Sequence, residues 1–395
     1  MLEKLLSIAA SPLSFILLIG IVVTVHELGH YWAGRLFGAA IESFSVGFGG
    51  SLFEVRDRRG TRWRINWLPL GGFVKFAGEM QAPSDSRAVG NADLAGCAFH
   101  ELHPLQRLVI SLGGPAANFV FAILALATLA MITGLPEAQA VRVADVQAAS
   151  PAEAAGFKKG DVILEAGGRP VETGGDVIRA TALSAGESVV YLIERNAERL
   201  TLTAVPETRE ERSEAFKVVE KIGRVGLSLE DVDLDVRRPG LLEAAAYGVG
   251  ATGEAIGSTV TVLRRLVTGL DGIDRLSGPV GIFGIADNAT DLHMKQTELS
   301  FLERLANVSL TLLQLAALFS IGVGFFNLLP IPVLDGGAAV MCLAEAASGR
   351  EIPEAIQRIG LTIGLACLIG FAVVVTWNDV TRPGGPLEVL SGMLS

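Results

Sequence analysis

Residues 13–37 read LSFILLIGIVVTVHELGHYWAGRLF, an apolar segment that carries two histidines and a glutamate in its second half. A helix that crosses a bilayer needs about 20 apolar residues, and this segment is long enough. An ionisable side chain at such a depth costs roughly 2.5–3.5 kcal/mol on insertion scales and usually belongs to a functional site. The segment therefore predicts a membrane-spanning helix with reactive groups built into it.

The reactive groups form an HExxH motif, His26-Glu27-Leu28-Gly29-His30. At about 100° per residue, the two histidines lie about 40° apart around the helix, so both imidazoles face one metal. Zinc in catalytic sites takes such imidazoles and a third ligand, and it leaves one position for a water that a neighbouring carboxylate deprotonates. We predict that His26 and His30 bind Zn²⁺ and that Glu27 is the catalytic residue.

A third ligand is predicted in residues 326–337, FNLLPIPVLDGG. Pro330 and Pro332 prevent a continuous helix, and irregular backbone at membrane depth is tolerated only where it lines a protein or water cavity. An acid in that position favours a cation, so Asp335 is predicted to bind the metal. The alternative is that Asp335 caps a helix at the membrane surface.

Four further polar residues are candidates for a functional role. His100 and His103 are spaced i, i+3 before Pro104, which indicates an interfacial loop more than a metal site. Asn118 and Asn327 lie in apolar helices, where an amide can simply hydrogen-bond a neighbouring helix. The alternative is that these amides hold a substrate strand or stabilise a developing oxyanion. We predict substrate contacts for both, with the stronger case at Asn327.

Composition indicates a membrane protein with a polar domain. The 395 residues are 50% hydrophobic with a mean hydropathy of +0.47, yet 42 are acidic and 32 basic. Apolar segments at about 13–37, 108–133, 305–328 and 359–377 predict four transmembrane helices, which makes the fold class α-helical. The net charge of -10 comes without a basic block, so no nucleic-acid partner is expected. Cys97, Cys342 and Cys367 suggest neither a disulfide framework nor a thiolate site.

The charge distribution predicts the orientation in the bilayer. Nine Lys or Arg lie from Arg35 to Arg107, whereas only Lys4 precedes the first helix. The positive-inside rule places this connection in the cytoplasm. The region between the second and third helices is then extracytoplasmic, and the active site lies toward the cytoplasmic side of the membrane.

The connection itself alternates β-forming and aromatic residues over Phe44–Gly50 and Trp63–Phe76, with a break at Asp57–Gly60. These patterns predict β-hairpins at the membrane surface, whose strand edges pair with an unwound substrate. The predicted substrate-binding positions in these hairpins are Gly47, Gly49, Gly71 and Gly72. A plain amphipathic loop is the alternative.

The extracytoplasmic region contains short strands and two short helices over residues 138–206, which indicates a small α+β domain. Residues 150–163, SPAEAAGFKKGDVI, resemble the core signature of bacterial PDZ domains. The predicted organisation is an N-terminal membrane core with the HExxH helix, the hairpins and the second transmembrane helix (1–137), one PDZ domain (138–206), a charged linker (207–240), an amphipathic membrane-surface region (241–300), and a C-terminal membrane core with the LDG motif (301–395).

The motifs in this order resemble the site-2 protease family of intramembrane zinc metalloproteases, in particular its bacterial RseP-like members. The segments that carry the resemblance are HELGH (26–30), FSVGFGG (44–50), PLGGFVKFAGE (69–79), GGPAANF (113–119), LSGPVGI (276–282) and NLLPIPVLDGG (327–337). The resemblance implies that His26, His30 and Asp335 bind zinc, that Glu27 is catalytic and that Asn327 contacts substrate. Two departures are the single PDZ domain, where well-known relatives have two, and Ala338, where a histidine is common.

By this resemblance the substrates are single-span membrane proteins, such as anti-sigma factors or signal-peptide remnants, cut in regulated intramembrane proteolysis after a first cut outside the membrane. The other expected partners of the protein are the lipid bilayer and peptide or protein segments that bind the PDZ domain. Two non-enzymatic alternatives are a membrane scaffold that uses the PDZ domain and a metal transporter that uses the same ligands. Glu27 separates them from a protease, because neither needs a carboxylate beside the metal.

Overall fold

The computed structural model describes residues 2–78, 94–213, 218–272 and 298–381, and a few single residues between 281 and 296. The segment 276–282 lies outside the described residues except for Gly281. The helices are α1 (Leu2–Leu36), α2 (Pro104–Thr133), α3 (Pro151–Ala155), α4 (Gly174–Ala182), α5 (Leu241–Val267), α6 (Phe301–Asn327), α7 (Asp335–Ser348) and α8 (Glu354–Thr381).

The strands are short except for the first two. They are β1 (Ile41–Arg56), β2 (Arg62–Phe76), β3 (Leu135–Glu137), β4 (Ala140–Val146), β5 (Val162–Ala166), β6 (Arg169–Pro170), β7 (Val189–Arg195), β8 (Glu198–Ala204), β9 (Glu207–Ser213), β10 (Val218–Arg224), β11 (Leu227–Val232) and β12 (Asp235–Arg237). The chain divides into two compact units. One contains β1, β2 and most of the apolar helices, and the other contains the remaining strands with α3 and α4.

In the described part of the chain, four helices are long and apolar enough to cross a membrane, namely α1 from Ser14 onward, α2, α6 and α8. They coincide with the four segments predicted from hydropathy, as expected for a membrane protein. Since lipid tails are as apolar as leucine, such helices associate mainly through close packing, which small residues permit. Gly29 of α1 and Gly113 of α2 make such a contact: a Cβ added to Gly29 would lie 2.6 Å from the Gly113 carbonyl carbon.

Strands β1 and β2 fold into one curved antiparallel sheet beside α1. Ser43 pairs with both Arg62 and Lys75, so the first half of β1 lies between two segments of β2. Residues 72–76 therefore form one edge of the sheet. Gly47 and Gly71 have φ of 84° and 103°, a backbone conformation that glycine adopts without strain, and they permit the bends. The predicted hairpins are confirmed as strands.

The second unit contains a small α+β domain, which we call the PDZ-like domain after the sequence resemblance of residues 150–163. Its sheet has the strand order β11-β4-β5-β7-β8, with β6 paired to β5, and α3 and α4 complete the α+β unit. The predicted boundary at residue 206 is too early, because β11 pairs with β4 from within the predicted linker 207–240. Residues 207–224 of that linker also contain the β9–β10 hairpin. The residues of these strands are rich in charge, which is also the composition of a linker, and this explains the error.

The PDZ-like domain has its own core and a buried ion pair. Tyr191 and Ile193 of β7 are fully buried with Val143 of β4 and other apolar side chains. Arg195 Nε lies 2.6 Å from Asp161 Oδ1, and Asp161 is 1% exposed. Burial is the largest single effect and alone would raise the pKa of Asp161, but the hydrogen bonds from Arg195 and from the Lys158 N–H, together with the two positive charges, hold that pKa below its ordinary value.

Helix α5 confirms the predicted helix in residues 241–270. Arg265 in its last turn is 1% exposed. The guanidinium donates to Glu187 at 2.7 Å, to the Ala185 carbonyl at 2.7 Å and to Asp271 at 2.8 Å. A buried guanidinium with this many acceptors is well satisfied, so it fixes the end of α5 to the loop that precedes β7. That α5 lies along the membrane surface stays a prediction.

Candidate metal centre

Three side chains from the two ends of the chain meet beside α2. His26 Nε2 lies 3.0 Å from Asp335 Oδ2, and His30 Nε2 lies 3.4 Å from Asp335 Oδ1. The two Nε2 atoms are 3.1 Å apart. His26, His30 and Asp335 each offer one ligand atom, and these three atoms all lie within 4.8 Å of one another. In the described part of the chain, these side chains are the group of histidine, cysteine or acidic residues that could hold a metal ion. The structure thus brings together the three ligands that the sequence predicts.

The donor set fits zinc. Two nitrogens on a tetrahedral zinc at its usual bond length would lie about 3.3 Å apart, close to the observed spacing. Asp335 Oδ2 is buried and has no hydrogen bond of acceptable geometry, which is costly for a carboxylate oxygen unless a cation compensates it. Two imidazoles and one carboxylate also match the ligand types of catalytic zinc sites.

Gly114 forms one wall of the centre and was not singled out by sequence reasoning. A Cβ added there would lie 2.7 Å from His26 Nε2 and closer still to His30 Nε2. The missing side chain leaves space where the ligand atoms converge. The signal in the sequence is the pair Gly113-Gly114 in an apolar helix, which indicates close packing but not the partner.

Gly114→Ala is expected to weaken zinc binding about 10-fold to 100-fold, the range seen when the surroundings of a metal site are disturbed. The added methyl group occupies the space in front of both Nε2 atoms. Zinc affinity is measured by competition with a chelator. Gly322→Ala in α6 is the matched control, because its added Cβ meets nothing within 4 Å. Equal zinc affinity of the Gly114→Ala and Gly322→Ala proteins would contradict the assignment.

Asp335 is positioned by a tight turn between α6 and α7. The Leu334 N–H donates to the Ile331 carbonyl at 2.8 Å, and α7 begins at Asp335. The next two glycines pack directly on this turn: a Cβ on Gly337 would lie 2.5 Å from the Ile331 carbonyl carbon. Residues 328–334 are not helical, as the two prolines predicted. The alternative role of Asp335 as N-cap does not hold, since Leu334 is the N-cap.

Glu27 lies at the flank of the metal ligands and contacts the sheet. Its Oε2 accepts a hydrogen bond from the Val74 backbone N–H at 2.9 Å. A Cβ added to Gly72 would lie 3.6 Å from Glu27 Cγ. The edge of the sheet at residues 72–76 therefore borders the site. Gly47, Gly49 and Gly71 serve the bends of the sheet, and a substrate contact at these positions stays a prediction.

The two asparagines are placed differently from each other. Asn118 is fully buried, and its amide faces the ring of His26, with Nδ2 3.2 Å from Nδ1. The structure therefore pairs Asn118 with His26, and its predicted substrate contact stays a prediction. Asn327 is the last residue of α6 and half-buried, so its predicted substrate contact stays open.

The remaining predictions about reactive side chains concern residues away from the centre. His100 Nδ1 lies 3.2 Å from the Gly78 carbonyl, and His103 Nδ1 accepts from the Leu105 N–H at 3.3 Å. The His103 contact is local, the His100 contact joins residues 22 positions apart, and both side chains are exposed. That this stretch lies at the membrane interface stays a prediction. The three cysteines, Cys97, Cys342 and Cys367, are free.

Comparisons with known proteins agree with this geometry. The model of peptidase family M50 matches residues 14–371. The metalloprotease MmpA of Caulobacter vibrioides is 37% identical over 93% of this chain and 95% of its own length. Proteins named as zinc metalloproteases in Agrobacterium fabrum and Mesorhizobium japonicum are 35% and 34% identical over 93% of this chain, and over 94% and 97% of their own lengths.

Among solved structures, the PDZ domain of the SdrC-like protein of Listeria monocytogenes aligns with 23% of this chain and 88% of its own. The identity is 18% and the TM-score 0.19.

An HExxH motif on a helix of membrane-spanning character, together with an aspartate far along the chain, is the arrangement of a class of metallopeptidases. The chain belongs to peptidase family M50, the site-2 protease family, over nearly its whole length. It is accordingly a zinc metalloprotease, and the predicted enzyme class and cofactor are confirmed.

Proposed function

We propose that His26, His30 and Asp335 bind the zinc and that Glu27 is the catalytic base for peptide hydrolysis. The observation that carries the proposal is that the ligand atoms of the three side chains lie within 4.8 Å of one another. Glu27, the residue after His26, adds a carboxylate beside them. Zinc supplies Lewis-acid polarisation of a peptide carbonyl and makes water a better nucleophile at neutral pH.

In this mechanism Glu27 accepts the proton of the attacking water and returns it to the leaving nitrogen, as a general base and then a general acid. The hydrogen bond from the Val74 N–H holds the Glu27 carboxylate at its place. Asp335 offsets the positive charge of the cation, and the two histidines act as neutral ligands. These roles require Glu27 to be free of the metal, which fits its position at the flank.

The proposed substrates are transmembrane segments of single-span membrane proteins. Supporting this, His26 and His30 lie on a helix of membrane-spanning character, Asp335 follows another such helix, and an edge strand borders the proposed catalytic carboxylate. An unwound segment would add to residues 72–76 as a further strand, the way edge strands bind extended peptides. Exposed apolar side chains on the same sheet support contact with the lipid bilayer: Leu52, Phe53, Val55, Ile65 and Trp67 are each at least 50% exposed.

Regulated intramembrane proteolysis is the proposed cellular role, with anti-sigma factors or signal-peptide remnants as the substrate class and with peptide or protein segments bound at the PDZ-like domain. In cells that produce only the Glu27→Gln protein, membrane proteins already cut outside the bilayer are expected to accumulate. Their membrane stubs are identified by mass spectrometry. If no such stubs accumulate relative to cells with the unaltered protein, the role in a two-cut sequence is wrong.

The proposed location is the bacterial inner membrane, with the PDZ-like domain outside the cytoplasm and the active site toward the cytoplasmic side. The excess of Lys and Arg between α1 and α2 supports this orientation. The test uses a reporter enzyme that is active only outside the cytoplasm. Inserted after Lys159, in an exposed turn of the PDZ-like domain, it is expected to be active, and inserted at Arg58 in the β1–β2 turn it is expected to be inactive. The reverse pattern would overturn the orientation.

A further inference from the structure

The two histidines of the centre differ in the group that holds the far side of the ring. His30 Nδ1 lies 2.8 Å from the Ile110 carbonyl oxygen. A carbonyl only accepts hydrogen bonds, so His30 carries its proton on Nδ1 and presents the Nε2 lone pair to the centre. This is the tautomer that a metal ligand needs at Nε2.

At His26 the corresponding group is the amide of Asn118. Asn118 Nδ2 lies 3.2 Å from His26 Nδ1, and Asn118 is 0% exposed. An amide nitrogen that donates to Nδ1 would leave the imidazole proton on Nε2, where it would block ligation. The amide oxygen in that orientation is buried and has no hydrogen-bond partner. In this orientation, Asn118 Oδ1 therefore makes no contact that would stabilise it.

We propose that Asn118 is a positioning residue, which turns its amide oxygen toward His26 Nδ1 and so fixes the tautomer in which Nε2 binds zinc. A half-turn of the amide exchanges its oxygen and nitrogen with little change in shape. The Nδ1 hydrogen then donates to the oxygen. His26 and His30 become equivalent, each with an oxygen acceptor on the far side of the ring.

Helix α6 holds Asn118 in place. The Ser320 hydroxyl donates to the Asn118 backbone carbonyl at 3.0 Å, and Ser320 is also 0% exposed. Gly324, one turn further on, leaves room for the same stretch of α2: its added Cβ would lie 3.2 Å from the Pro115 carbonyl oxygen and 3.3 Å from Asn118 Cβ. The orientation of His26 in α1 thus depends on a residue of α2 that α6 supports.

The inference rests on the proposed ligand set, and its test uses the full chain purified in detergent. Zinc affinity is measured by chelator competition, and the ligand field is measured from the visible absorption of the cobalt-substituted protein. Asn118→Leu keeps the approximate volume and removes the acceptor. We expect it to weaken zinc binding about 10-fold to 100-fold and to alter the cobalt spectrum. Asn118→Asp keeps an acceptor oxygen and should bind zinc at least as tightly as the unaltered chain.

Asn307→Leu in α6 is the matched control, because it makes the same chemical change at a half-buried position far along the helix from Ser320 and Gly324. Its zinc affinity and cobalt spectrum should remain close to those of the unaltered protein. Unchanged affinity and spectrum in Asn118→Leu would overturn the proposal. Should Asn118→Leu not fold, Asn118→Asp decides alone: weaker zinc binding than that of the unaltered chain also overturns it. Retention of zinc by His26→Ala would instead show that the ligand set itself is wrong.

Discussion

Glu27→Gln is expected to lower the rate of peptide cleavage about 10²-fold to 10⁴-fold while the protein keeps about one zinc per chain. Glutamine has the size and hydrogen-bonding reach of glutamate and can still occupy the position beside the Val74 N–H, but it cannot take a proton from water. His26→Ala and Asp335→Ala each remove a proposed ligand, so they should lose both zinc and cleavage. Metal content and cleavage of a trimmed single-span substrate are measured on the same purified samples.

Glu230→Gln, at an exposed position of β11, makes the same chemical change away from the centre and should cleave at the rate of the unaltered protein. If Glu27→Gln protein with full zinc cuts at an appreciable rate, the base is another residue. Loss of zinc from Glu27→Gln would make Glu27 a ligand.

The second large effect concerns the substrate. A helix hides its carbonyls in i to i−4 hydrogen bonds, so a transmembrane segment must unwind before water attacks it. Replacing a glycine near the cut site with alanine stabilises the helix by about 1 kcal/mol, and replacing a proline by about 3 kcal/mol. The cleavage rate is expected to fall about 5-fold and about 100-fold respectively, since about 1.36 kcal/mol corresponds to a factor of ten.

Rates are compared by quantifying the product under conditions where enzyme is in excess. The control places the same replacements at least two helical turns from the cut site, where they should have little effect. If cleavage is indifferent to replacements at the cut site, local unwinding is not required, and the role proposed for the strand edge at residues 72–76 loses its support.

Periodicity and membrane depth made the metal ligands predictable. The i, i+4 spacing places His26 and His30 on one face of a helix without any knowledge of the fold. Asp335 followed from a different rule, since an acid between two prolines and two glycines at membrane depth needs a compensating charge. Sequence reasoning therefore found the side chains that carry unusual chemistry in an apolar segment.

Contacts between distant elements were not predictable in the same way. Strand β11 pairs with β4, which lies about 85 residues earlier in the chain. Its sequence, LSLEDV, follows a charged stretch and gives no sign of that distant partner. The role of Gly114 depends on how α1 and α2 cross, which no pattern in either helix specifies. Asn118 was noticed as polar, but only the packing of α2 turns its amide toward His26 instead of toward a cavity.

The metal centre draws its ligands from the beginning and the end of the chain. His26 and His30 belong to the first membrane helix, whereas Asp335 follows α6. During synthesis, the N-terminal part is made and inserted with only two of the three proposed ligands. With the proposed ligand set, a chain released early lacks a complete zinc site, so we expect unfinished copies to have no peptidase activity. Since zinc binds the folded arrangement and not its separate parts, metal loading also stabilises the finished protein.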